Sequence, residues 1–217
     1  MGSITRSFAN NITTSGVLLP ASLTNNSISN VTAYNASVAT GGMKLISSQT
    51  ASDSASISFT TGIDSTYKEY QFWFIDIHPR TDNVNFTFNF STDSGSNYNV
   101  TKTTTYFTTY HDEADTSTLL SYSTAFDLAQ STAFQQLTNG TGNGADEGAV
   151  GTLQLFNPSS TTYVKHFIAN MQSYLESNYS INNYSAGYGN TTSAVNAIQF
   201  KMSSGNFDGT ILLFGIV

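Results

Sequence analysis

The chain has 217 residues, only 10% of them charged, and its fourteen Asp and Glu against seven Lys and Arg give a net charge of −7 and a pI near 4.6. The five lysines and two arginines stand singly along the sequence, which argues against the clustered cations that nucleic acid or an anionic membrane surface requires. Cysteine is absent, so neither a disulfide framework nor a thiolate metal site can form, and the length fits one all-β domain, or a small domain plus an arm, but not two large domains.

Residues 1–42 are rich in Ser, Thr and Asn, and their apolar residues follow neither a helical nor a strand period. Too weakly charged for a solvated tail and too sparsely apolar for a core, this stretch is expected to be an N-terminal docking arm that gains order on a partner or neighbouring subunit. Phe8, Ile12, Val17, Leu18, Leu19 and Leu23 are its candidate docking residues. The opening "MGSITRSFANNITTSG" lacks the continuous apolar run of a secretion signal. "TILLFGIV" at the other end is shorter than the roughly 20 residues that a bilayer crossing needs. A soluble, unprocessed chain without membrane insertion is the expectation.

From Met43 to the end, residues 43–217, strand signals recur: "MKLISSQT", "SASISFTT", "EYQFWFIDI", "VNFTFNFS", "TKTTTYFTTY", "VGTLQLFN", "TYVKHFIAN", "AVNAIQFKM" and "GTILLFGIV". Runs rich in Thr, Val, Ile, Phe and Tyr, separated by Gly, Asn, Asp and Ser, predict an antiparallel β-sandwich of jelly-roll type. In the third run, Tyr70, Phe72 and Phe74 alternate with Trp73, Ile75 and Ile77, so both faces are apolar and a central strand covered on each side is predicted. The fourth run puts Val84, Phe86, Phe88 and Phe90 on one face and polar residues on the other, which predicts a half-exposed hairpin partner reached through the turn "HPRTDN". Asp76 and His78 share a face at i and i+2, as a base and its orienter would, but no nucleophile or paired acid stands near them. A strand end with an Arg80–carboxylate contact is the plainer reading.

"STDSGSNY", residues 91–98, resembles the Asp-box pattern, in which Asp93 bonds turn amides, Gly95 takes a positive φ and Tyr98 packs beneath. A single copy supports a hairpin, and two arginines cannot build the arginine cluster of a sialidase. "YHDEAD", residues 110–115, gathers carboxylates and His111 without a Ca²⁺-loop spacing and reads as a solvated acidic loop. Between residues 115 and 137 irregular apolar spacing predicts a long loop with one helical turn, and the glycines of "TNGTGNGADEG" predict an exposed flexible loop. His166 alternates with Val164 and Ile168, which predicts a hydrogen-bonded position on the core side. Tyr179, Tyr184 and Tyr188 fall in a polar, glycine-bearing stretch read as a loop, and are the candidate glycan contacts; burial at subunit contacts is the competing reading. No catalytic residue, metal ligand or cofactor is assigned.

The arm "SITRSFANNITTSGVLLPASLTNNSISNVTAYN", the run "LISSQTASDSASISFTTGIDSTYKEYQFWFIDIHPRTDN", the segment "LFNPSSTTYVKHFIAN" and the ending "SAGYGNTTSAVNAIQFKMSSGNFDGTILLFGIV" together resemble uncharacterised virion structural proteins of marine tailed bacteriophages, including cyanophages and pelagiphages. The resemblance implies a particle component located in the virion and assembled in the host cytoplasm. Its expected role is a tail or neck fibre or appendage subunit, with a capsid decoration (cement) protein or a carbohydrate-binding adhesin as alternatives. The implied partners are capsid, neck or tail proteins, further copies of the chain in a homo-oligomer, with a trimer expected, and a host-surface glycan. An enzyme is not expected: a glycan depolymerase needs paired carboxylates across a groove, and the sequence offers only scattered ones.

Overall fold

Every regular element among the described residues of the computed structural model, residues 42–175 and 177–217, is a β-strand, as the Thr, aromatic and β-branched runs dictate. The strands are β1 (Met43–Ser54), β2 (Ile57–Phe59), β3 (Glu69–Pro79), β4 (Phe86–Ser91), β5 (Lys102–Asp112), β6 (Thr118–Tyr122), β7 (Gln135–Gln136), β8 (Ala149–Phe156), β9 (Lys165–Leu175), β10 (Tyr179–Gly189), β11 (Ala197–Met202) and β12 (Phe207–Ile216). The docking residues Phe8, Ile12, Val17, Leu18, Leu19 and Leu23 lie outside the described residues.

Pairing is nested. β1 joins β12, β2 joins β11, β3 joins β8 and β4 joins β7, each antiparallel. A chain doubled back in this way and rolled into two sheets is a jelly roll. One sheet begins β1-β12-β3-β8 and the other is β2-β11-β4-β7. Two inserted hairpin segments then widen the first sheet: β5 and β6 lie in sequence between β4 and β7, and β9 and β10 between β8 and β11. They add to the edge at β8 in the order β9-β10-β5-β6, giving eight strands against four.

The core lies between the sheets. Phe72 and Phe74 of β3, Phe167 of β9 and Phe207 of β12 meet Phe59 of β2, Phe86, Phe88 and Phe90 of β4, and Phe200 of β11, all at most 2% exposed. Most ring pairs meet edge to face with centroids 5.0 to 6.3 Å apart, the arrangement the aromatic quadrupole favours. The small sheet does not reach across the whole large one. Beyond β9, the inner face of the large sheet is covered by the connection from β6 to β7 and by the start of β7, where Tyr106 meets Phe126 and Thr104 donates to Gln135 Oε1 at 2.6 Å.

Several local expectations are corrected. The strand through Trp73 is central in its sheet, between β12 and β8, but its outer face is open: Trp73 is 39% and Ile75 38% exposed. Ile77 is buried with Phe74 because a bulge at Asp76 (φ 50°), opposite Gly209 (φ 133°), adds a residue and reverses the alternation. A Cβ at Gly209 would stand 2.7 Å from the Asp76 carbonyl, so only glycine fits there. β4 is not the hairpin partner of β3 but crosses to the opposite sheet, and all six of its residues are buried. Residues 118–122 form β6 rather than a helical turn. The first half of the glycine-rich stretch is not exposed: Thr138 and Thr141 are fully buried, and Thr141 exchanges backbone hydrogen bonds with Val84. His166 is on the outer face, because Lys165 and Phe167 take the inward positions. Residues 179–189 are strand β10, not a loop.

The Asp-box turn forms as its residues predict, although it joins β4 to β5 across the two sheets rather than closing a hairpin. Asp93 accepts from Ser91 Oγ at 2.6 Å, Asn97 N at 2.9 Å and Asn97 Nδ2 at 2.7 Å, and Gly95 takes φ 89° beside the Tyr98 ring. These donors hold the Asp93 carboxyl at about 2. Its stabilisation is present above the ordinary carboxylate range and is lost as pH falls through about 2. A carboxyl-carbon NMR titration should give a midpoint near that value, and substitution of Asn97 by alanine should raise it.

Candidate functional site

Among the described residues, three concavities on the large sheet bear on function. The largest, about 630 Å³, runs across strand ends on the outer face. β3 contributes Asp76 and His78, β5 contributes His111 and Asp112, the turn after it Glu113, β9 contributes Gln172 and Tyr174, and the turn before β8 contributes Asp146 and Glu147. The bulge at Asp76 sets the end of β3. It also places Asp208 for a bidentate pair with Arg80, at 2.5 and 2.9 Å, which is the carboxylate contact expected from the sequence.

Most polar groups of this groove are already engaged. His78 Nε2 lies 3.0 Å from the Gly144 carbonyl, which can only accept, so this nitrogen is the donor. His111 Nε2 is paired with Asp115 at 3.0 Å. Asp112 accepts from Thr116 N, Thr116 Oγ1 and Ser117 N at 2.5 to 2.8 Å, which holds its carboxyl below the ordinary range and closes the β5–β6 turn. Glu113 accepts from the Tyr174 hydroxyl at 2.9 Å, and Glu147 from Gly144 N at 2.5 Å. Among the described residues no group of three or more His, Cys, Asp or Glu is placed to hold a metal ion. The groove can receive cations and hydrogen-bond donors; in it neither histidine Nε2 is directed at a hydroxyl nucleophile.

The second concavity is a shallow dish of about 410 Å³ on the same outer face, formed by Phe156, His166, Ile168 and Tyr188 beside Thr103 and Thr105. His166 and Tyr188 are cross-strand partners with rings 6.0 Å apart. The dish belongs to a wider surface. Phe107 stacks on Tyr184 at 4.8 Å, Trp73 packs on Phe214 at 5.2 Å, and Ile168 is 51% exposed between them. In cross-strand order one row reads Tyr122, Phe107, Tyr184, Asn170, Thr152, Trp73, Leu212, and the next Thr105, Ala186, Ile168, Gln154, Gln71, Phe214, Leu45. Neither row contains a charged residue. No family model, curated protein or solved structure matches this chain.

The third concavity, about 360 Å³, is on the opposite, inner side, where β5, β6 and β10 extend past the small sheet. Tyr179 lines it, whereas Tyr184 and Tyr188 face outward. The three tyrosines expected to act together are therefore split between two faces by the alternation of β10. An odd spacing between Tyr179 and Tyr184 was the signal available in the sequence, once the stretch is taken as a strand. Sequence reasoning missed Phe107, Phe156 and Ile168 as surface residues, because a large apolar side chain on a strand is ordinarily assigned to the core.

Proposed function

We propose that this chain is a structural subunit of a tailed-phage virion, a fibre, appendage or decoration protein, that assembles with further copies of itself through the outer face of its eight-stranded sheet. One observation supports the assembly part of this reading: two cross-strand rows of that face, each spanning seven of its eight strands, are uncharged and carry exposed Leu45, Trp73, Phe107 and Ile168. In a molecule of net charge −7, copies approaching through this face avoid the repulsion they would meet elsewhere. Eight strands at about 4.8 Å spacing make a face about 34 Å wide. The two uncharged rows and one flanking row, each about 6.8 Å deep along the strands, offer roughly 700 Å² per subunit, close to the roughly 800 Å² of a standard interface. The strands at its two edges, β1 and β6, carry exposed Met43, Leu45, Leu120 and Tyr122, and association covers them. A closed ring, with a trimer expected, meets these demands without leaving a growing end.

Sedimentation velocity tests this reading. The native chain is expected to sediment as a discrete oligomer, and Ile168→Asp as a monomer with an unchanged unfolding midpoint, because Ile168 touches solvent rather than the core. A monomeric native chain at about 100 μM, well above the Kd expected of an interface this size, would remove the assembly reading. Recovery of the chain at fixed stoichiometry in purified particles supports the virion role, and its absence from them refutes it.

A further inference from the structure

The third concavity has a chemistry that the other two lack. It opens where the large sheet overhangs the small one, and none of the residues lining it is charged. Tyr110 of β5 and Tyr179 of β10 stand side by side with ring centroids 5.1 Å apart at 84°, so that one ring can offer its face while the other offers an edge. Both are partly exposed. Around them Ser121, Ser123 and Asn139 supply two hydroxyls and an amide that make no side-chain hydrogen bond to any described residue. Leu175 and Ile181 form an apolar floor.

In the other two concavities the chemistry differs: the groove is acidic with most of its polar side chains engaged, and the dish is largely apolar. In the acidic groove Asp112, Glu113 and Glu147 already accept hydrogen bonds, and on the outer face the exposed residues suit another protein surface. Here a neutral cleft combines an aromatic pair, donors and acceptors that are unengaged among the described residues, and a volume of about 360 Å³, at the small end of ligand pockets. A ligand complementary to it is uncharged, carries several hydroxyls, and has one face of C–H groups to lie on a tyrosine ring. A pyranose has that combination.

We infer that the cleft between β5, β6 and β10 binds a neutral sugar residue, with Tyr179 or Tyr110 stacking on the ring and Ser121, Ser123 and Asn139 bonding its hydroxyls. This goes beyond the assembly role and does not depend on it, since the cleft is on the inner side of the sheet and the proposed interface on the outer side. Assembly and sugar binding can therefore fail separately.

Saturation-transfer difference NMR with the methyl glycosides of glucose, galactose, mannose and N-acetylglucosamine, each at about 20 mM with the full chain, reads the binding of such weak ligands. At least one is expected to receive saturation, most strongly on the C–H protons of one ring face. Tyr179→Ala should weaken it about tenfold, as loss of an aromatic stack does, and Ser121→Trp should abolish it by filling the cleft from its rim. Tyr184→Ala and Tyr188→Ala, on the outer face, should leave it unchanged. Ser121→Trp keeps the test decisive if Tyr179→Ala fails to fold. Absence of saturation transfer for all four sugars, undiminished binding in Ser121→Trp, or loss of binding in Tyr188→Ala would each overturn the assignment.

Discussion

Phe200→Ala is expected to destabilise the fold by about 3–5 kcal/mol, a large part of the roughly 5–15 kcal/mol that a domain has in total. Phe200 of β11 is the ring through which the small sheet grips the large one. Its centroid lies 5.2 Å from Phe72 and 5.1 Å from Phe74 across the sandwich, and 5.8 Å from Phe86 and 6.4 Å from Phe88 on the neighbouring strand. Truncation removes the buried ring and leaves a cavity whose walls are other rings held by two sheets, so little collapse can offset the loss. Urea unfolding checks it: the midpoint should fall with the slope unchanged, and a loss under about 1 kcal/mol would mean that the two sheets are not packed through this ring.

Stability is expected to rise with pH from about 7 toward 10, which is unusual for an acidic protein, and the cause is a pair of buried amines. Lys102 is fully buried at the start of β5, where its Nζ donates to Asn89 Oδ1 and to the Val100 carbonyl. Burial pushes this amine down to about 7. In the unfolded chain it returns to about 10.4, so between these values the unfolded state holds a proton that the folded state does not. Stability therefore increases across that window, at most by about 1.4 kcal/mol per pH unit. Lys165, paired with the same Gly189 from the other side and bonded to the Tyr163 and Thr191 carbonyls, is also lowered by burial and acts in the same direction. Above about pH 10 the buried hydroxyls of Tyr70 and Tyr106, both pushed upward by burial, reverse the slope. Chemical denaturation at a series of pH values should show the rising limb in the native chain and in the surface control Lys68→Met. Lys102→Met should flatten it, and a limb that survives this change would locate the titration elsewhere.

The sandwich was legible wherever one face of a strand meets the aromatic core. Phe86, Phe88 and Phe90 announce their alternation, as do Tyr70, Phe72 and Phe74, and the turn residues Asn83 and Gly95 take the positive φ values their chemistry allows. The extension was less legible, for a physical reason. β10 turns Asn183 and Ser185 inward, opposite Thr108 and Tyr106 of β5, so its buried face is polar and no hydrophobic period marks it as a strand. β6 lies at an edge with every residue at least partly exposed, and its apolar residues Leu119 and Leu120 fall on opposite faces, so no period marks an inward side. Pairing partners separated by more than a hundred residues, such as β3 and β12, leave no local trace, which is why β3 and β4 read as a hairpin although their sheets differ. The bulge at Asp76 is hidden for the same reason: it is imposed by Gly209 on the partner strand. Of the candidate contacts, Tyr184 and Tyr188 share a face as their even spacing requires, and Tyr179 does not.

The most direct test uses the only tryptophan. Trp73 lies in one of the two uncharged outer rows and is 39% exposed in the single subunit, so association of this face must bury it. Its fluorescence, followed from nanomolar to about 100 μM protein with acrylamide as quencher, is predicted to shift to shorter wavelength and to become protected over the same concentration range in which the sedimenting mass rises. Emission and quenching that stay constant while the mass rises would place the subunit contact on another surface and contradict the account.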